Sequence, residues 1–373
     1  MFSRTQSDPS RSHLESLMHR LNSMGSEAWQ AVNRDYELRA RIAEECHALV
    51  QEAHGPDGVK AHQAVHDILT AIYQRDFTRP DTSESECETQ PVLRDIAAIF
   101  EQAMLDYEIA LIREGATGYP LDGKEYVLWL KRLISSHVAS RHPFYRPYLQ
   151  DHGTREDVRF LLAQETSLDP RFDDILALIQ LGTEGDAKIE IAGNYWDEMG
   201  NGEPTNMHGV LFAKALAALE IDDQYIKDNL LLEAKLCGNL SAALTLSRRH
   251  YFKAIGYFGV TEYLAPRRFR SLILAWRRLG LPPEGIRYHD VHVEIDAGHA
   301  AGWFKNVIEP AIDRDSRVGR DIAIGTLIRL NTSERYLDAL LGRTGSDLIS
   351  GRLSDLIPGL LSDRSSGGTP DLS

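Results

Sequence analysis

Long apolar runs are missing. Nowhere do the 373 residues hold the roughly 20 consecutive apolar positions that a membrane-spanning helix needs, so no membrane partner is expected. Cysteine is scarce: Cys46, Cys87 and Cys237 are far apart and odd in number, which offers no disulfide framework. Positive charge is in deficit. The 41 Lys and Arg stand against 55 Asp and Glu, a formal net charge of −14, the wrong sign for a phosphate-binding surface, so no nucleic-acid partner is expected. The local clusters Arg267-Arg268-Phe269-Arg270 and Arg277-Arg278 fall on helical patterns and read as solvated faces. Residues 1–13 carry no apolar signal core, and the expected location is the cytoplasm.

Strand alternation is missing as well, whereas apolar residues recur at helical spacing nearly everywhere. The expectation is an all-α fold with a disordered start (1–13) and a helical N-terminal extension (14–150). A catalytic helical bundle (151–345) and a C-terminal segment (346–373), disordered at its end, complete it. An acidic, polar linker over about 78–90 divides the extension. The stretch Arg141 to Tyr148, rich in proline and aromatics, predicts a non-helical boundary. Beyond it the pattern predicts helices at 155–167, 171–181, 184–199, 206–219, 224–247, 249–263, 266–279, 286–308, 318–331 and 334–342.

The chemistry concentrates in three segments. In Tyr288 to Asn306, His292, Asp296 and His299 fall at about 0°, 40° and −20° on a helical wheel, one narrow stripe beside Tyr288, Val291, Ile295 and Trp303. A stripe with those neighbours faces a core. A metal offsets the burial of a carboxylate and two imidazoles, because it needs the first charged and the others neutral. An internally hydrogen-bonded His–Asp–His cluster is the alternative. In the second segment Glu198 closes one helix, a Gly/Pro turn follows, and His208 opens the next. On one continuous helix these two would point about 80° apart; the turn lets them converge. An ordinary helix terminus is the alternative here. The third segment ends an apolar helical run at Glu165, which by itself reads as a surface residue.

Together these supply mixed carboxylate and imidazole ligands from separate helices, the set with which helical bundles hold two irons. Carboxylate-rich sites of this kind also accept manganese. Glu165, the Asp197-Glu198-Met199-Gly200 segment followed by His208, and the H-x-x-x-D-x-x-H spacing of His292, Asp296 and His299 resemble the haem-oxygenase-like di-iron oxidases and oxygenases, over about residues 155–310. The resemblance implies a haem-oxygenase-like helical bundle without haem, two irons, dioxygen as cosubstrate and an external electron donor. It implies Glu165 and His208 on one iron with one histidine of the last motif, Glu198 as a bridge, and Asp296 with the other histidine on the second iron. Some members carry a further Glu seven positions after the one matching Glu198. Here that position is Thr205, which leaves Glu203 and Glu262 as candidate replacements. His289 lies beside the stripe and is expected to pack in the first turn or bond to a ligand.

The resemblance further implies N-oxygenation of a small amine or amino acid in natural-product biosynthesis. Desaturation or C–C cleavage of an amino or fatty acid is the runner-up within the class. Asn194, Tyr195, Tyr257 and Glu262 are the candidate pocket residues. A metal-free hydrolase resembling the thiaminase-type relatives would need a nucleophilic Cys, and Cys237 sits in an apolar stretch that reads as core. A non-enzymatic interaction protein is the remaining class, since the N-terminal helices could build a homodimer.

Overall fold

Capping side chains and Gly/Pro breaks cut the chain into helices, described by a computed structural model over residues 12–88, 90–112 and 115–344. No strand occurs among the described residues. Of the expected disordered start, residues 1–11 lie outside the described residues, as does the C-terminal segment 346–373. Ser12 and His13 are ordered into structure: Ser12 caps α1 (His13–Arg20) in a reciprocal box with Glu15. The extension continues through α2 (Ser26–Arg34), α3 (Tyr36–Ala53), α4 (Val59–Asp76), α5 (Pro91–Ala110) and α6 (Gly123–Ser136). Within the acidic stretch between α4 and α5, a short 3₁₀ turn at Ser83–Cys87 buries Cys87.

The stretch expected to be non-helical is wound into wide turns over Phe144–His152, broken at Arg146, where φ and ψ are −145° and 124°. The turns are satisfied by i→i+5 bonds, Tyr148 N to Pro143 O at 3.0 Å and Gly153 N to Tyr148 O at 2.8 Å. Next come α7 (Arg155–Glu165), α8 (Phe172–Ile179), α9 (Gly185–Glu198), α10 (His208–Ala218), α11 (Asp223–Asn229) and α12 (Leu232–Leu246). The last four are α13 (Tyr251–Arg278), α14 (Arg287–Gly302), α15 (Glu309–Arg314) and α16 (Gly319–Thr344).

Three departures from the periodic pattern have local causes. The single helix expected over 224–247 is split into α11 and α12, because the buried Gln164 side chain satisfies both flanks of the break. Its Oε1 accepts from Leu231 N at 2.8 Å, and its Nε2 donates to Asn229 O at 3.1 Å. Conversely, the two helices expected either side of Pro266 are one 28-residue helix, α13. Pro266 is buried there among neighbours, and the missing N–H leaves only the Glu262 carbonyl without its usual helical donor. The third is α16, which runs through the polar Asn331-Thr332-Ser333 because Thr332 Oγ1 donates back to Ile328 O at 2.8 Å.

Helices α13 and α16 approach most closely at two glycines. A Cβ on Gly256 would sit 2.0 Å from Ile322 O, and one on Gly325 would sit 1.9 Å from Lys253 O. Buried apolar residues form two clusters. The larger runs from Leu14 through α4, α5, α12 and the first half of α13 to Leu330. The smaller joins Phe144 and α7 to α10, the second half of α13 and Tyr288. Thus the extension shares its core with the bundle. No described helix is long and apolar enough to cross a membrane.

Candidate metal centre

Helix α14 turns its ligand stripe inward: Tyr288, His292, Asp296 and His299 are each at most 6% exposed. His292 is oriented from its own helix. Its Nδ1 lies 2.7 Å from Tyr288 O, which fixes the proton on that nitrogen and leaves Nε2 facing Glu198 Oε1 at 3.8 Å. Glu198 is the last residue of α9. Gly200, at φ +64°, starts a turn so tight that a Cβ there would lie 2.5 Å from the Asn206 carbonyl carbon. The chain therefore reverses within nine residues, and His208 enters α10 with Nδ1 2.6 Å from Glu198 Oε2. Glu198, His208 and His292 offer ligand atoms that all lie within 4.8 Å of one another.

A second group, Glu262, Asp296 and His299, meets the same criterion. His299 Nδ1 is 3.7 Å from Glu262 Oε2 and 4.0 Å from Asp296 Oδ1, while its Nε2 is held by Asp197 Oδ2 at 2.8 Å. Of the two residues considered as replacements at the Thr205 position, Glu262 joins this group from α13. Glu203 is exposed in the turn and accepts a bond from Thr205 Oγ1 at 3.0 Å. Glu165 belongs to neither group. Its Oε2 lies 3.7 Å from Nε2 of the fully buried His289, and neither of those atoms has a hydrogen-bond partner.

The electrostatics show a crowded set of charges balanced by protons. Burial pushes the Glu198 carboxyl up, but the His208 and His292 rings outweigh it and bring it down to about 2. Burial pulls His292 down, yet Asp296 and Glu198 raise it to about 10; Glu262, Asp197 and Asp296 likewise raise His299 to about 9 against its burial. Asp296 and Glu165 are held high by burial, Glu165 at about 8. His289, buried and beside His292, is pushed down to about 3. Buried atoms without a hydrogen-bond partner include Glu262 Oε1, Glu165 Oε2, Asp169 Oδ2, His208 Nδ1 and both ring nitrogens of His289. Such atoms are expensive to leave alone in a core. Cations seated between the carboxylates and imidazoles would satisfy the orphaned atoms of Glu262 and His208 directly, so the donor sets fit a metal.

Glu198, Glu262, His292 and Asp296 line one cavity of about 40 Å³, together with Asp169, Tyr288 and Phe269. Five of its lining residues (Leu168, Asp169, Thr261, Ala265, Phe269) also line a larger cavity of about 100 Å³, where Glu165, Cys237, Arg268, Arg329, Tyr145 and Tyr336 appear. Asn194, Tyr195 and Tyr257 line neither. Asn194 is buried with Nδ2 unpaired, Tyr195 packs on the larger apolar cluster, and Tyr257 donates to the Cys237 carbonyl at 3.2 Å. Cys237 is buried, and burial pushes its thiol up, the reverse of what a nucleophile needs.

Sequence reasoning passed over Asp169, and saw Asp197 only as part of a motif. It also missed Arg329, and it read Arg268 as a solvated face. No local signal marked Arg268, which stands about 120° round the helix from Glu262.

Facing helices thus converge three carboxylates and three imidazoles in two buried groups, and Glu198, Glu262, His292 and Asp296 of these line one cavity, an arrangement suited to holding metal in a helical bundle. Residues 159–334 match the model of a family of iron-containing redox enzymes, which supports the haem-oxygenase-like resemblance over that region. The match takes in every residue of both groups and supports an iron-dependent oxidoreductase. No curated protein matches the chain.

Proposed function

We propose that the chain is a non-haem di-iron oxygenase that uses dioxygen to oxidise nitrogen in a small amine or amino acid, as part of natural-product biosynthesis. One observation carries the reading: two separate carboxylate–imidazole groups share the wall of a single cavity. Glu198, His208 and His292 would hold one iron, and Glu262, Asp296 and His299 the other. Glu198, whose charge also acts on Asp296, is a candidate bridge, and Glu165 with His289 forms a further buried pair. Iron held there would supply the redox change that dioxygen chemistry requires. The protein's own part is to keep His292 and His299 oriented, through Tyr288 O and Asp197, and to exclude water with Phe269, Leu168 and Phe172. Conversion of an amine to a hydroxylamine places one oxygen atom on nitrogen and reduces the other to water. That consumes two electrons and two protons, so an external electron donor is required.

The test is anaerobic Fe(II) loading of the full chain, followed by oxygen uptake with candidate amines and amino acids and mass analysis under isotopically labelled dioxygen. Labelled oxygen on nitrogen supports N-oxygenation. An unlabelled alkene or a shortened product would replace it with desaturation or C–C cleavage. No iron uptake and no oxygen uptake would remove the oxygenase reading altogether.

A further inference from the structure

The larger cavity contains two guanidinium groups that the metal groups do not use. Arg268 comes from α13 and Arg329 from α16, and both are half-buried. Their partners are neutral. Arg268 Nη2 donates to Ser333 Oγ at 2.7 Å and to Ala139 O at 3.3 Å, and Arg329 Nε donates to Thr261 Oγ1 at 2.9 Å. Each guanidinium has five N–H donors, so most of them have no acceptor among the described residues. Neither is ion-paired with a described carboxylate, although Glu165 and Asp169 line the same cavity. The two arginines are also close enough to repel: after burial and among the surrounding phenols, Arg329 is one of the charges that lower Arg268. Apolar walls come from Leu168, Ala234, Ala265 and Phe269, and the phenols of Tyr145 and Tyr336 add neutral polar groups. Glu165 feels the Arg268 charge without pairing with it, so most of these N–H donors stand open to an anion that enters the cavity.

We propose that Arg268 and Arg329 form a carboxylate-recognition pocket beside the metal groups, so that the substrate is a carboxylic acid, amino acids included, and not a simple amine. The inference rests on the oxygenase reading only in taking the ligand to be the substrate. A guanidinium pair presents planar, bidentate donors matched to a carboxylate. The five residues common to both cavities connect this pocket to Glu198, Glu262, His292 and Asp296, so an acid anchored here would extend its remaining atoms toward them.

The test is calorimetric titration of the full chain, metal-free and anaerobically Fe(II)-loaded, with octanoate and L-phenylalanine against octanamide and L-phenylalaninamide. The acids are expected to bind at least ~tenfold more tightly than the amides in both states. Arg268→Gln and Arg329→Gln should each bring acid and amide close to parity, and Arg329→Lys should restore part of the difference. Circular dichroism and melting curves separate this from misfolding, since arginines that only tie α13 to α16 would lower the melting temperature without changing the acid-to-amide ratio. Equal binding of acids and amides by the wild type overturns the proposal. So does a preference that survives both Gln substitutions, or one that exists only with iron bound, because the metals would then hold the carboxylate. Iron content of the same samples tests the oxygenase reading separately. A chain that prefers acids through its arginines but takes up no iron keeps this inference and loses that reading.

Discussion

The two ligand groups differ in composition and in origin. Glu198, His208 and His292 come from three helices and pair one carboxylate with two imidazoles; Glu262, Asp296 and His299 come from two helices and reverse the ratio. In the first, the ligands are positioned by backbone: the turn after α9 and the Tyr288 carbonyl. In the second, the positioning element is a side chain, Asp197, which reaches His299 from the end of α9. Group one is thus built into the path of the chain, whereas group two depends on one polar contact and on how α14 lies against α13. This difference predicts that the groups lose metal under different perturbations.

The largest effect is expected at Glu198, which touches both histidines of group one and is among the charges acting on Asp296 in group two. Glu198→Ala should reduce oxygen-dependent turnover by more than ~10²-fold, beyond what loss of an outer partner costs, and deplete iron at both groups. Iron per chain after anaerobic loading measures it; a variant that retains full iron would break the assignment of Glu198 as the shared carboxylate. Next is Glu262→Ala, expected to remove metal from group two while leaving group one loaded, so that bound iron falls by about half in a two-iron bundle. Unchanged iron would mean that Glu262 does not stand in for the carboxylate missing at Thr205.

A smaller effect sharpens the contrast between backbone and side-chain positioning. Asp197→Asn leaves every ligand in place but weakens the hold on His299 Nε2. Metal affinity at group two should fall ~10–100-fold, the usual cost of losing such a partner, while group one keeps its affinity. Competition titration with a metal-sensitive dye would read the two affinities separately, and equal losses at both would erase the distinction drawn here.

The sequence named all six residues of the two groups, Glu262 only as a candidate replacement, because helical periodicity and a Gly/Pro turn are local signals. It also carried the all-α class and the family resemblance. What it did not carry depends on helix crossings. Glu262 enters group two only because α13 continues unbroken past Pro266 and packs along α14, and periodicity alone placed a helix end there. Arg268 read as solvated because three arginines in four residues resemble a surface; the half-buried one is picked out by α16, whose Arg329 lies far away in the chain. Gln164, in an apolar run, gave no sign that its amide would satisfy a helix break more than sixty residues later. The candidate pocket residues Tyr195 and Tyr257 went elsewhere, since an aromatic near a ligand in sequence packs as readily on the core.

The smallest expected effect concerns protons in the metal-free chain. Burial alone would lower His292 and His299, but their carboxylate neighbours raise them to about 10 and about 9. Both folded values exceed the unfolded value of about 6.5. Each group therefore contributes stability that is complete below that pH and is lost as pH rises through its folded value. Glu165, raised by burial to about 8, acts in the same direction over a lower range, as the folded chain keeps a proton that the unfolded chain has released. Melting temperature of the metal-free chain should fall between about pH 7 and pH 10, and group two, with the lower value, should begin to loosen first. Iron must displace the same protons, so its apparent affinity should rise over that interval until the imidazoles are neutral. His292→Gln should flatten the upper part of the melting profile and His299→Gln the part about one unit below it. A melting temperature that climbs with pH would show that protonated imidazoles do not balance the carboxylates, and the two groups could not then be told apart by their protons.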